Sequence, residues 1–178
     1  MNITRRGALL SASAIIPAAL LAGCGLITSN TTNGVTTITI NVADLDNWGN
    51  AIVNAASLLA PFVGPIGATI LEVGTVAKAD LTAADVAAGG SLSLSFNSTL
   101  VPAAVSSLLA DGQKIVSTVG SAVTTGAVTQ LVAEAQTYLT AAETIVSVFS
   151  AALGLASASL AVPKMTETAA LAALGVHN

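Results

Sequence analysis

The chain has 178 residues, 53% of them hydrophobic, 8% charged and 3% aromatic, with a formal net charge of −4 and a mean hydropathy of +0.83. That apolar content excludes intrinsic disorder, and the acidic balance excludes a phosphate-backbone partner, so no nucleic acid is expected. One cysteine and one histidine exclude a disulfide framework and a Cys/His metal cage.

The chain opens with Arg5-Arg6 in a short polar segment, followed by an uncharged run from Gly7 to Gly23 and then the sole cysteine, Cys24. A positive region, an apolar region and small residues at a cut make residues 1–23 a signal peptide. The apolar part is too short, and too interrupted by Pro17, for a permanent span, which needs about 20 apolar residues. Leu21-Ala22-Gly23-Cys24 matches the lipobox of bacterial lipoproteins at every position. The resemblance implies a diacylglyceryl group on the Cys24 thiol, cleavage before it and acylation of the new amino group. It covers the first 24 residues only. The plainer alternative is a buried free cysteine, which packs as a small hydrophobe. Two or three acyl chains, at roughly 0.8 kcal/mol per buried methylene, would anchor the protein stably.

Thr4-Arg5-Arg6-Gly7-Ala8-Leu9 also resembles the twin-arginine motif, which implies export in the folded state. Ala8 stands where that family prefers phenylalanine and Leu10 where it often has lysine, and an ordinary positive segment for unfolded export fits the same residues. Gly25, rather than Asp, follows the cysteine, so the retention signal of enteric inner-membrane lipoproteins is missing. The expected location is therefore the cell envelope, facing the periplasm, with the outer membrane the favoured leaflet. Cleavage leaves about 155 residues, the size of a single domain. It also leaves three lysines against nine acids, a net charge of about −6.

Beyond the lipidated cysteine, residues 24–34 read as a flexible tether, because Thr28 to Gly34 is polar, turn-rich and without apolar periodicity. A single domain is expected over 35–178. Ile38, Ile40 and Val42 alternate with Thr37, Thr39 and Asn41, the period of a half-buried strand. Asp44 is positioned to cap a helix carrying Leu45, Trp48, Ile52, Ala55 and Leu59, with Pro61 as its stop. A helix over Ile66 to Ala79 follows, and Thr82 with Asp85 has capping-box spacing for a short helix to Ala88. After Gly89-Gly90, Leu92, Leu94 and Phe96 alternate with serines in a second strand. The offset of 54 residues between the two strand–helix units leaves a faint duplication open.

Ser98 or Thr99 can cap the next helix, which has Pro102 in its first turn and Val105, Leu108, Leu109, Ile115 and Val119 on one face. The longest helix is expected from Thr125 to Ala161, ended by Pro163. Its stripe of Val128, Val132, Ala135, Leu139, Ala142, Val146, Phe149, Leu153, Ala156 and Leu160 steps by fours and threes. Such a stripe implies packing along another helix, in this chain or in a partner. Ser150, Gly154 and Ala158 form a row of small residues suited to close contact. A short helix over Thr166 to Leu174 precedes Gly175. The predicted fold class is α+β, mainly helical: an antiparallel helical bundle with a small two-stranded sheet.

Signatures of enzyme chemistry are few, and no cofactor, metal or catalytic residue is expected. Asp44, Asp46 and Gly49 open like a calcium loop, but Trp48 holds the fifth position and no glutamate closes it. His177 sits beside the C-terminus. Thr75 and Lys78 are the nearest approach to a Ser-x-x-Lys pair. Glu134 and Glu143 lie nine residues apart, on opposite sides of a helix, and read as solvated positions. Uncharged stretches dominate instead, and Thr144 to Pro163 has about the length of a bilayer span.

Three functions fit. The first is a lipid-anchored, non-enzymatic envelope protein acting through protein contacts or self-association, with the Val128 to Leu160 stripe as its interface to a second copy or an envelope partner. The second is a membrane-active lipoprotein, a lysis accessory or exclusion factor; the lipobox, Thr-rich segment and Ala/Val-rich helices together resemble small lipoproteins of Alphaproteobacteria and their prophages. The third is a carrier of an apolar ligand.

Overall fold

The computed structural model describes residues 27–32, 35–125, 131–155 and 165–177. Three strands form an antiparallel sheet in the order β1 (Ile27–Thr32), β2 (Val35–Asn41), β3 (Ser93–Asn97). The expected second strand is therefore the third, and the expected tether supplies the first. The Thr/Ser/Asn composition that reads as a linker serves equally as an exposed edge strand, because β2 provides the backbone partners from Ile27↔Ile40 to Thr32↔Val35. A cross-strand hydroxyl pair joins Thr31 and Thr36 at 2.9 Å, and another joins Thr39 and Ser95 at 2.8 Å on the polar face. Ile38, Ile40 and Phe96 are buried on the other face.

Helix α1 (Val42–Leu59) leaves β2 without a loop. Its cap is Asn41, whose side chain accepts from the Ala43 N–H at 3.0 Å, so Asp44 lies inside the first turn rather than at the cap. Pro61 has no N–H to continue the ladder, and the chain turns through two short 3-10 segments, Ala60–Phe62 and Gly64–Ile66. Helix α2 (Gly67–Ala88) then runs unbroken for 22 residues, merging the two helices expected there. The Thr82 hydroxyl donates to the Lys78 carbonyl at 3.0 Å instead of capping anything. The helix ends where Gly89 takes a left-handed conformation, φ +60°.

After β3, the Asn97 side chain accepts from the Thr99 N–H and hydroxyl, and α3 (Ala103–Thr124) starts immediately after Pro102. Helix α4 covers Ala133–Ala152, much less than the expected Thr125 to Ala161. Thr125 closes α3, and Val132 is extended, 53% exposed and outside the helix. At the other end, Leu155 N–H donates to Ser150 and Gly154 N–H to Ala151, with Gly154 at φ +68°. This is a Schellman stop, so Gly154 terminates the helix rather than lining a contact between helices. Val128, Ala156, Ala158, Leu160 and Pro163 lie outside the described residues. Helix α5 (Glu167–Ala173) is capped by Thr166 and finishes with the same kind of stop at Gly175.

The bundle is a ring in which α1 and α3 each touch both α2 and α4, while α5 lies on α4 and α1. Gly49 faces Leu81 and Gly74 faces Ala56, so α1 and α2 run antiparallel. Of the predicted stripe, Ala135, Leu139, Ala142, Val146, Phe149 and Leu153 are buried inside this one chain. The fold is thus α+β and mainly helical, with one strand more than expected.

Candidate functional site

Arg5, Arg6, Leu21, Ala22, Gly23 and Cys24 all lie outside the described residues, the first of which is Ile27. What it adds is the arrangement of the carboxylates. Six of the nine acids fall into three interhelical associations: Asp46 with Asp85 (α1–α2), Asp80 with Asp111 (α2–α3) and Asp44 with Glu167 (α1–α5).

Burial, a hydrogen bond with Asp85 and the charge of Asp85 push the Asp46 carboxyl up to about 6. Burial also raises Asp44 above the usual carboxylate range, with Glu167 adding to the effect. Asp111 is raised by burial and by Asp80, against the opposing pull of Lys114. Among the described residues, Asp44 Oδ2, Asp80 Oδ2 and Asp111 Oδ2 are buried without a hydrogen-bond partner.

Glu167 accepts a hydrogen bond from Trp48 Nε1 at 2.7 Å, and the Trp48 ring lies 5.1 Å from that of Phe149 between centroids. Like charges placed this way favour retaining a proton. They make the fold sensitive to pH, but no group of three or more His, Cys, Asp or Glu among the described residues is arranged to hold a metal ion. Sequence reasoning missed these associations because Asp46 and Asp85 are 39 residues apart and only helix packing brings them together.

The residues weighed for chemistry are not gathered. Gly49 is a helix-packing residue against Leu81, inconsistent with a calcium loop. The Thr75 hydroxyl donates to the Leu71 carbonyl, and His177 is exposed at the chain end. Glu134 is exposed and accepts from the Tyr138 hydroxyl at 2.6 Å, which lifts the tyrosine above its ordinary range. Glu143 is half-buried on the same helix.

Among the described residues, a depression and a set of exposed apolar side chains stand out. A shallow depression of about 390 Å³ is lined by Ile66, Ser117, Thr118, Ser121, Ala122 and Thr125. At the two ends of the sheet stand exposed apolar side chains: Leu92 (88%) and Val86 (76%) at one end, Leu100 (72%) and Val35 at the other. No described helix is long and apolar enough to cross a membrane. Comparisons with protein-family models, curated proteins and solved structures find no match.

Proposed function

We propose that the protein is a lipid-anchored, non-enzymatic lipoprotein of the cell envelope, facing the periplasm, with the outer membrane as its favoured leaflet, and that it acts through protein contacts or self-association. The observation that carries this reading is the complete lipobox Leu21-Ala22-Gly23-Cys24 directly upstream of a folded domain whose first strand starts at Ile27. Arg5 and Arg6 head the export signal in the same reading. The described stripe residues from Ala135 to Leu153 are occupied within the chain, so contacts with a second copy or an envelope partner would use other surfaces.

Mass spectrometry of the mature N-terminus tests the anchor. The expected mass is that of a chain starting at Cys24 with a diacylglyceryl or triacyl modification. An unmodified thiol, or a start elsewhere, overturns the reading. Sedimentation of the detergent-solubilised protein then reports whether it self-associates.

A further inference from the structure

The chain between the cysteine and the fold is much shorter than an eleven-residue tether, and sheet register fixes where it must lead. Ile27 pairs with Ile40, so the first residue of β1 lies at the end of the sheet where Asn41 pairs with Ser93. Leu92 is at that same end, its carbonyl accepting from the Val42 N–H at 3.1 Å. Cys24 is three residues from Ile27 and can therefore lie no more than about 11 Å away, at 3.3–3.6 Å per extended residue.

Two strand spacings of about 4.8 Å separate β1 from β3. The anchor and the Leu92 turn are consequently confined to one small region of the surface. The segment from Val86 to Leu92 carries no charge, contains Gly89 and Gly90 in left-handed conformations and ends on a leucine that is 88% exposed. Leu100 and Val35 stand at the opposite end: Ser98 N–H donates to the Thr36 carbonyl and Leu100 N–H to that of Asn97.

Building on the lipoprotein reading above, we infer that the sheet end bearing Leu92 lies against the bilayer, with the Leu92 turn inserted among the lipid headgroups and upper acyl chains beside the Cys24 anchor. The occupant of this apolar end is a lipid surface because the chain length leaves the domain no room to stand off from the membrane. An exposed leucine on a glycine turn gains by leaving water there. Insertion is shallow: Asp85 directly precedes Val86 and its partner Asp46 faces it from α1, so the acid pair keeps the last turn of α2 at the surface. Leu100, at the far end of the sheet, stays in water.

The test replaces the natural anchor by a chemical one, so that it succeeds or fails independently of acylation in the cell. The chain from Cys24 to Asn178, which includes every described residue, is coupled through its only thiol to maleimide-headgroup lipid in phosphatidylcholine/phosphatidylethanolamine vesicles. Leu92→Trp and Leu100→Trp are compared, with brominated phosphatidylcholine as quencher. Both sites are exposed enough to accept the ring, circular dichroism checks the fold, and Trp48, fully buried, gives the same background in each. The expected result is a blue shift and at least twofold stronger quenching for Leu92→Trp than for Leu100→Trp. Equal quenching, quenching of neither or stronger quenching of Leu100→Trp overturns the inference, whereas an unacylated mature N-terminus in cells overturns only the lipoprotein reading.

Discussion

Helix α1 meets its neighbours through two unlike seams. Toward α2 it presents Gly49 and Ala56, and the opposing chain comes so close that a Cβ at Gly74 would lie 2.6 Å from the Ala56 Cβ. Toward α4 and α5 it presents Trp48, stacked near Phe149 and hydrogen-bonded to Glu167, and Asn54, which donates to the Leu174 carbonyl at 2.9 Å. The first seam depends on atoms that are missing, the second on atoms that are present. A close-packed interior is sensitive to both, but addition damages one and removal the other.

The largest expected effect is removal at the second seam. Trp48→Ala deletes a fully buried indole and strips Glu167 of its donor, and should cost about 3–5 kcal/mol. Leu139→Ala, which empties a buried position on α4, should cost about 2–5 kcal/mol. Urea midpoints measure both; a Trp48→Ala loss below 1 kcal/mol would mean that the aromatic seam is not what holds α1 to α4.

Addition at the first seam comes next. Gly74→Ala should cost about 1–3 kcal/mol despite alanine's better helix propensity, because a methyl facing another methyl has no rotamer to escape into. Gly49→Ala should cost somewhat less: its new Cβ would lie 2.5 and 2.9 Å from the two Leu81 methyls and 3.1 Å from the Leu81 Cγ, and that side chain has rotamers to move through where the Ala56 methyl has none. Equal midpoints for the two variants would show that Leu81 has no room to move aside.

A third expectation concerns pH. Asp46, on the α2 side, holds its proton more tightly in the folded state (about 6) than at its ordinary 3.8. Its contribution is therefore fully present below about pH 4 and is lost as the pH rises through about 6. Asp44 and Asp111 are shifted in the same direction. Midpoints measured at pH 4.5 and 7.5 should fall with rising pH, and Asp46→Asn should flatten the dependence. An unchanged slope in that variant would assign it to the other pairs. The smallest effects belong to the two glutamates of α4: exposed Glu134→Ala should stay within about 0.5 kcal/mol, and Glu143→Ala, half-buried on the opposite side of the helix, within about 1 kcal/mol.

Sequence alone determined the features that depend on neighbours along the chain. The alternation of Ile38 and Ile40 with threonines, the faces Leu45–Leu59 and Val105–Val119, the turn at Gly89-Gly90 and the short helix capped by Thr166 are written locally and appear as expected. The proposed lipobox Leu21-Ala22-Gly23-Cys24 is equally local as a pattern, being four adjacent residues. Tertiary structure decided whatever depends on a distant partner. Ile27–Thr32 has the composition of a linker and is a strand because β2 lies beside it. The α4 stripe breaks at Val132 because periodicity does not say where a helix starts, and Gly154 stops that helix because its backbone turns left-handed. The Asp46–Asp85 pair forms because the glycines of α1 and α2 let these two helices approach, bringing together side chains whose separation in sequence hides them from any local pattern.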